Sequence, residues 1–154
     1  MKIALASDHA GYELKKGIMA YLSQRGIDHK DFGCGSEEKV DYVDYAEKAV
    51  QKLLMEDYDR AILICGTGLG MSIVANKYRG VRATCCWDEY SAELSRRHND
   101  SNCLTLGGRI RPLDEALAIV KVWLETEFEG GRHQRRLAKI FQIEEKYFKS
   151  NNRE

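Results

Sequence analysis

The sequence predicts an α/β fold, an open three-layer α/β/α sandwich built on a five-stranded parallel sheet. Short β-prone runs alternate with longer segments of helical periodicity along the chain, which is the pattern of repeated βαβ units. The crossovers of such units are nearly always right-handed, so helices cover both faces of the sheet. The chain has 154 residues, the size of one domain of ~100 to 200 residues. We therefore expect residues 1–154 to form a single domain.

The predicted strands and helices alternate along the chain. The candidate strands are 2–6, 29–32, 60–65, 82–86 and 103–106. Two helical stripes are formed by Leu14, Ile18, Tyr21 and Leu22 and by Ala46, Val50, Leu53 and Leu54. Further helices are expected over 70–77, 88–97 and 112–127, the last with Pro112 in the first turn, where proline is tolerated.

A sixth predicted helix follows Gly131 and has no sixth strand to cover. One of its faces carries Leu137, Ile140, Phe141, Glu144, Tyr147 and Phe148. An apolar face without a strand beneath it needs another surface to bury it. We expect this helix to dock on a partner subunit.

Charge and composition exclude several classes of protein. The 24 Lys and Arg residues balance the 24 Asp and Glu residues, so no overall field attracts nucleic acid or an anionic membrane. The apolar runs are far shorter than the ~18 residues of a transmembrane helix, which predicts a soluble, cytoplasmic protein. The five cysteines contain no C-x-x-C pair and the four histidines are scattered. We therefore expect reduced thiols and no metal site.

Three strand ends carry the residues of chemical interest. In open α/β sheets, ligands bind outside the carboxyl ends of the strands. This rule selects residues 7–9 after the first strand, 65–70 after the third and 107–109 after the fifth. Asp8 and His9 can exchange protons or bind hydroxyl groups there, although Asp is also a residue type that caps helices.

Cys65 ends the third strand and is followed at once by the glycine-rich segment 66–70. A cysteine in this place is commonly a small buried hydrophobe, whereas a thiol beside a helix N-terminus is favoured as the nucleophilic thiolate. Alternating glycines let backbone N–H groups approach a ligand oxygen, as in an oxyanion site. A dinucleotide loop has less support, because Met71 stands where the third fingerprint glycine belongs. We therefore expect no cofactor.

A basic cluster opens the sixth helix. Residues 130–136 read Gly-Gly-Arg-His-Gln-Arg-Arg, which places cations where the helix macrodipole disfavours them by ~0.3–1 kcal/mol each. Backbone N–H groups and guanidinium forks in this position direct donors at a phosphate. A solvated basic face is the alternative interpretation. Nucleic-acid binding has less support, because the net charge is zero and no aromatic residues interleave.

His98 ends the fourth predicted helix just before the fifth strand. On one interpretation it only complements the helix dipole. A residue that enters a parallel strand lies at the edge opposite the carboxyl ends, so we expect His98 not to reach Cys65 of its own chain. If both residues serve one site, that site lies across a dimer interface.

Six spaced motifs occur in order over essentially the whole chain. They are 7–11 (Ser-Asp-His-Ala-Gly), 41–42 (Asp-Tyr), 64–68 (Ile-Cys-Gly-Thr-Gly), 75–77 (Ala-Asn-Lys), 95–100 (Ser-Arg-Arg-His-Asn-Asp) and 129–133 (Glu-Gly-Gly-Arg-His). Together they resemble the type B ribose-5-phosphate isomerases, a family that also contains galactose-6-phosphate isomerase subunits.

The resemblance implies a Rossmann-like fold and a homodimer or dimer of dimers with shared sites. It also implies an aldose–ketose isomerase that interconverts ribose 5-phosphate and ribulose 5-phosphate through an enediolate, without a metal. Cys65 is then the base that moves the proton between C1 and C2, and His98 is the acid/base that opens the furanose ring. The enediolate oxygens are stabilised by Thr67 and the amides of Gly66, Thr67, Gly68, Leu69 and Gly70. The other implied contacts are Asp8, which also belongs to the catalytic set, His9, Tyr42, Asn99 and Arg109 on hydroxyl groups, and Arg132 and Arg136 on the phosphate.

A variation among relatives and one departure from the family pattern affect this interpretation. Some relatives lack the cysteine and carry a glutamate where this chain has Met71, which favours Cys65 as the base. Val43 stands where the family usually has proline, and we expect this to loosen a loop beside the substrate. Galactose-6-phosphate or allose-6-phosphate isomerisation is an alternative, because the shape of the pocket decides whether a sugar with one more carbon is bound. A non-catalytic sugar-phosphate-binding module is an alternative of another class.

Overall fold

Five parallel strands form the single sheet of this computed structural model, which describes residues 1–55 and 57–148. The strands are β1 (Lys2–Ser7), β2 (Asp28–Asp31), β3 (Arg60–Cys65), β4 (Ala83–Cys85) and β5 (Cys103–Gly107). Their order across the sheet is β2-β1-β3-β5-β4, and every neighbouring pair is parallel. The predicted parallel α/β sheet is confirmed, and each strand end lies within one residue of its expected position.

Six helices lie in the described residues, five of them in the layers on the sheet and the last against another helix. They are α1 (Tyr12–Gln24), α2 (Tyr42–Leu54), α3 (Leu69–Ala75), α4 (Glu89–Asn99), α5 (Leu113–Glu125) and α6 (Arg132–Tyr147). Alternate strand residues such as Leu5 and Ile64 pack with α1 and α5, while Ala6 and Leu63 pack with α2 and α3. This alternation follows from the period of two in a strand, which sends successive side chains to opposite faces.

Three details of the helices differ from expectation. Helix α3 ends at Ala75 because the Asn76 side chain pairs with both backbone groups of Ala83, at 2.9 Å each, and so joins the helix end to β4. Pro112 precedes α5 as its N-cap residue and is not inside the first turn. Leu54, the last residue of α2, is 41% exposed and lies off the buried stripe.

The strand order fixes where a ligand crevice opens. The connection from β1 leads to β2 on one side, whereas the chain after β3 continues to β4 and β5 on the other. The reversal lies between β1 and β3, and in open α/β sheets ligands bind at the carboxyl ends of strands at such a switch point. Asp8 and Cys65 stand at these two strand ends.

Helix α6 is only partly covered by the other described residues. Leu137 is 3% exposed, while a row of large apolar side chains on the same helix and just beyond it is open to solvent: Ile140, Phe141, Ile143, Tyr147 and Phe148. What covers this row stays a prediction. None of the helices in the described ranges is long and apolar enough to cross a bilayer.

Candidate active site

The loops that follow β1, β3 and β5 meet at one edge of the sheet, as the sequence predicts. The N–H of Asp8 donates to the carbonyl of Ile64 over 3.0 Å, and the N–H of Gly108 donates to the carbonyl of Cys65 over 2.8 Å. These bonds hold the three loops side by side. Asp8 and Cys65 therefore stand at the ends of neighbouring strands.

Cys65 is buried but its sulfur is engaged by the loop that follows it. The side chain is 5% exposed and packs in the core beside Met71. The N–H of Gly68 donates to Sγ of Cys65 over 3.1 Å. Gly68 has φ +81°, a left-handed conformation that glycine adopts without strain. The side chain of Cys65 is therefore both packed in the core and bonded to the loop that follows it.

The same loop offers amide donors to a ligand. Within residues 1–55 and 57–148, the N–H groups of Gly66, Thr67 and Gly70 donate to no protein acceptor. The N–H of Leu69 donates to Oγ1 of Thr67 over 3.3 Å. Of the five predicted amides, those of Gly68 and Leu69 are thus used inside the loop. The other three can bind a ligand oxygen.

Asp8 and His9 are held by backbone contacts. Oδ1 of Asp8 accepts the N–H groups of Ala10 at 2.9 Å and Gly11 at 3.1 Å, so this carboxylate caps the short 3₁₀ turn His9–Gly11. Nδ1 of His9 accepts the N–H of Val40 at 3.3 Å. A neutral His9 therefore carries its proton on Nε2, which makes Nε2 a donor for a hydroxyl or phosphate oxygen.

Tyr42 and Arg109 flank the loop. A Cβ on Gly70 would lie 2.8 Å from Cε2 and Cζ of Tyr42, so the phenol ring rests directly on the backbone of Gly70. On the other side, Cδ and Nη1 of Arg109 lie 3.6 Å from the position of a Cβ on Gly66. We call Asp8, His9, Tyr42, Arg109 and residues 65–70 the Cys65 cluster.

Val43 does not loosen a loop, contrary to the sequence-based expectation. It is the second residue of α2 and its side chain is 43% exposed. The first turn of a helix accommodates proline and other residues alike, because its N–H groups have no partner within the helix. Helix α2, which begins at Tyr42, therefore forms without a proline at position 43.

A second group of predicted residues lies where α4 ends and α6 begins, and we call it the His98 cluster: His98, Asn99, Glu129, Arg132, His133 and Arg136. The rings of His98 and His133 are stacked, with centroids 4.1 Å apart and planes 7° apart. His133 is 2% exposed, and Nε of Arg132 donates to its Nε2 over 3.3 Å. Burial, followed by the charges of His98 and Arg132, lowers the pKa of His133.

The contacts of His133 and Glu129 could not be predicted from their motif. Both residues occur in a quoted motif, yet nothing local indicates that His133 packs on His98, 35 positions earlier in the chain. Glu129 pairs with Arg97 over 3.0 Å, and its N–H donates to the carbonyl of Arg97 over 3.0 Å. The only local signal is the Gly130–Gly131 pair, whose positive φ angles turn the chain into α6.

The two clusters make separate contacts within the described chain. No hydrogen bond or ion pair among residues 1–55 and 57–148 joins a side chain of the Cys65 cluster to one of the His98 cluster. His98 lies in the last turn of α4, just before the first residue of β5, Cys103. That is the edge of the sheet opposite the carboxyl ends, where the Cys65 cluster lies.

His98, Glu129 and His133 bring three potential metal ligands within 4.8 Å of one another. The stacked geometry is unsuited to a metal ion, because the ring lone pairs lie in two nearly parallel planes and do not converge on one point. The neighbouring guanidinium of Arg132 occupies Nε2 of His133 as a donor. These residues fit an anion better than a cation.

Comparison with known proteins places the chain in a family. The sequence model of the Ribose/Galactose Isomerase family matches residues 3–140. Ribose-5-phosphate isomerase B of Escherichia coli is 47% identical over 145 residues, which cover 94% of this chain and 97% of that protein.

Solved structures agree with this match. The structure of Clostridium thermocellum ribose-5-phosphate isomerase B superimposes with a TM-score of 0.94 and 51% identity, over 96% of this chain and 99% of the other. The Mycoplasma genitalium ribose-5-phosphate isomerase B, solved with bound ribulose-5-phosphate, gives a TM-score of 0.89 at 40% identity, over 94% and 96% of the two chains. This chain therefore belongs to the ribose/galactose isomerase family.

Proposed function

We propose that this chain is an aldose–ketose isomerase that interconverts ribose 5-phosphate and ribulose 5-phosphate through an enediolate. The observation that carries the proposal is the sulfur of Cys65, which receives the Gly68 N–H at 3.1 Å beside three backbone amides with no acceptor in the described chain. A base next to an oxyanion site is what proton transfer alpha to a carbonyl requires. The similarity to ribose-5-phosphate isomerases B supports the choice of substrate.

The isomerisation step is a proton transfer between neighbouring carbons. The thiolate of Cys65 removes the proton from C2 of the open-chain aldose, and the C–H electrons form the C1–C2 double bond as the carbonyl oxygen becomes an oxyanion. The same sulfur returns the proton to C1, while O2 loses its proton to become the ketone oxygen and O1 gains one to become the C1 hydroxyl. We assign the proton transfers at these two oxygens to Asp8, which follows the neighbouring strand β1.

The amide loop supplies the stabilisation that a thiolate alone does not. General-base catalysis contributes typically ~10² to 10⁴-fold, which is too little for so weak a carbon acid. The N–H groups of Gly66, Thr67 and Gly70 and the Thr67 hydroxyl bind the enediolate oxygens, and one oxyanion donor is commonly worth ~10² to 10³ in rate. His9, Tyr42 and Arg109 hold the hydroxyl groups around this loop.

The His98 cluster completes the site from a second subunit. His98 protonates the ring oxygen as the furanose opens, and Asn99 binds a neighbouring hydroxyl. Arg132 and Arg136 bind the phosphate with charge-assisted hydrogen bonds. Since the two clusters lie at opposite edges of one sheet, a homodimer or a dimer of dimers brings His98 of one chain to Cys65 of the other.

The exposed apolar row on α6 supports this assembly, because a large uncovered apolar surface marks an interface. The five cysteines are free thiols, which fits the reducing cytoplasm. We therefore keep the cytoplasm as the proposed compartment.

The proposed function is tested by following sugar phosphates in D₂O by NMR. Ribose 5-phosphate is expected to yield ribulose 5-phosphate that carries deuterium at C1, faster than a panel of hexose 6-phosphates reacts. If only galactose 6-phosphate or allose 6-phosphate were converted, the substrate would be that hexose phosphate and not ribose 5-phosphate. Binding without deuterium uptake would show that the protein is a non-catalytic sugar-phosphate-binding module and not an isomerase.

A further inference from the structure

His133 contacts two residues with different roles in the proposed reaction, one in ring opening and one in phosphate binding. One face of the buried His133 ring lies flat on His98, which would open the furanose. Its Nε2 accepts a hydrogen bond from Arg132, which would bind the phosphate. The side chain of His133 is only 2% exposed, so it contacts both groups from the protein interior.

We propose that His133 is a positioning residue that fixes the ring of His98 through stacking and the guanidinium of Arg132 through a hydrogen bond. This inference rests on the proposed function and deepens it. His133 does not touch the reacting atoms; it acts through the two residues that do.

The hydrogen bond determines the tautomer of His133. Nε2 accepts the Arg132 N–H at 3.3 Å, so a neutral ring carries its proton on Nδ1. Using Nε of Arg132 for this contact leaves both terminal NH₂ groups of the guanidinium for an anion. A guanidinium anchored at Nε binds phosphate with fewer degrees of freedom to lose.

The charges around His133 keep it neutral. The groups that act on it are His98 from α4, Glu129 from the preceding segment, and Arg132 and Arg136 from α6. Burial and the neighbouring cations both oppose a charge on His133, and Glu129, 3.9 Å from Nε2, is engaged with Arg97. The neutral form of His133 is the one whose Nε2 can accept the hydrogen bond from Arg132.

The position of the pair is itself held from both helices. Glu129 binds Arg97, the residue before His98, through a salt bridge and a backbone hydrogen bond of 3.0 Å each. The N–H of His133 donates to the carbonyl of Gly130 over 3.0 Å and fixes the start of α6. The stack is thus set by the α4–α6 junction and not by the side chains alone.

Two variants separate the two contacts. His133→Phe keeps a flat ring under His98 but gives Arg132 no acceptor, so KM for ribose 5-phosphate is expected to rise about tenfold with kcat nearly unchanged. His133→Gln places an amide oxygen near the position of Nε2 but removes the ring, so kcat is expected to fall about tenfold with KM nearly unchanged.

A second substrate identifies the affected step. Erythrose 4-phosphate cannot close a furanose ring, because its O4 carries the phosphate. With this aldose, His133→Gln is expected to turn over like the wild type, while His133→Phe still shows the raised KM. Wild-type turnover of ribose 5-phosphate, measured alongside, shows independently whether the proposed function holds.

The inference would be overturned if both variants lost the same parameter by the same factor, or if both stayed within about twofold of the wild type. It would also be overturned if His133→Gln lost erythrose 4-phosphate turnover as much as ribose 5-phosphate turnover. Nitrogen-15 NMR of the unmodified protein gives a readout that does not depend on variant folding. The neutral Nδ1–H tautomer of His133 at pH 6.5 supports the inference, and a charged or Nε2–H ring contradicts it.

Discussion

The backbone N–H of Gly68 donates a hydrogen bond of 3.1 Å to the sulfur of Cys65, three residues earlier in the chain. The left-handed conformation of Gly68 turns its N–H back toward the strand end, while the amides of Gly66, Thr67 and Gly70 are left for a ligand. In the proposed mechanism, this one short loop contacts both the base and the substrate oxygen.

Removing either phosphate anchor should weaken binding without slowing the chemistry. A charge-assisted hydrogen bond is worth ~1.5–3 kcal/mol, so Arg132→Ala and Arg136→Ala should raise KM for ribose 5-phosphate by roughly 10- to 100-fold. Weak turnover of phosphate-free ribose should be unaffected. Arg135→Ala, a change of the neighbouring exposed arginine, is the matched control in steady-state assays. An unchanged KM in both anchor variants would contradict the anion site.

Adding a methyl group at Gly70 should disturb the loop through Tyr42. The new Cβ would lie 2.8 Å from the Tyr42 ring, so the ring must move away from the substrate. We expect kcat/KM of Gly70→Ala to fall about tenfold, with no loss in melting temperature because alanine favours a helix over glycine by ~1 kcal/mol.

Two controls isolate this effect of Gly70. Gly35→Ala adds a methyl group where no atom lies within 4 Å, and it should leave the kinetics unchanged. In a Tyr42→Ala background the clash is gone, so Gly70→Ala should add little further loss. Full additivity of the two changes would show that the loop acts independently of Tyr42.

Acid should destabilise the protein through His133. The folded state lowers the pKa of His133, so below the usual histidine value of ~6.5 the unfolded chain binds a proton that the folded chain does not. The stabilising effect of the neutral ring is thus fully present above pH ~6.5 and declines as the pH falls from there. Urea unfolding at several pH values should show a smaller decrease for His133→Phe than for the wild type. His29→Asn is the control and should behave like the wild type; an equal decrease in His133→Phe would contradict the shift.

Subunit sharing can be tested by mixing two inactive variants. A heterodimer of Cys65→Ala and His98→Ala chains has one site with both residues intact and one with neither, so random mixing should restore roughly a quarter of wild-type activity. Cys65→Ala chains mixed with a Cys65→Ala/His98→Ala double variant should restore none. No recovery in verified heterodimers would place His98 and Cys65 in the same chain's site.

Local sequence determines the strands and the Cys65 loop well. The apolar run of β3 is bounded by Arg60 and by Gly66, so its length can be predicted from composition and turn residues alone. The capping of the turn after β1 by Asp8 follows equally from residue type and position. These features depend on contacts within a few residues, which the sequence displays directly.

Contacts between distant segments were not predictable in the same way. Helix α3 ends early because Asn76 pairs with the backbone of β4, and His133 is buried because α6 packs on the end of α4. The use of the Gly68 amide by Cys65 depends on the exact turn of the loop. Hydrophobic pattern and residue propensity do not determine the distances between side chains that are far apart in the sequence. Those distances are set only when the helices and strands pack together.

The most direct test of the account is deuterium exchange into ribose 5-phosphate by the Cys65→Ala variant. The wild type in D₂O should place deuterium at C1 of the ketose and at C2 of the recovered aldose. Cys65→Ala should bind the sugar phosphate with nearly unchanged affinity yet exchange no carbon-bound hydrogen above background, while Cys86→Ala, a change of another buried thiol, should exchange like the wild type. Continued exchange at C2 in Cys65→Ala would show that another group removes the proton, and the role assigned to this sulfur would be wrong.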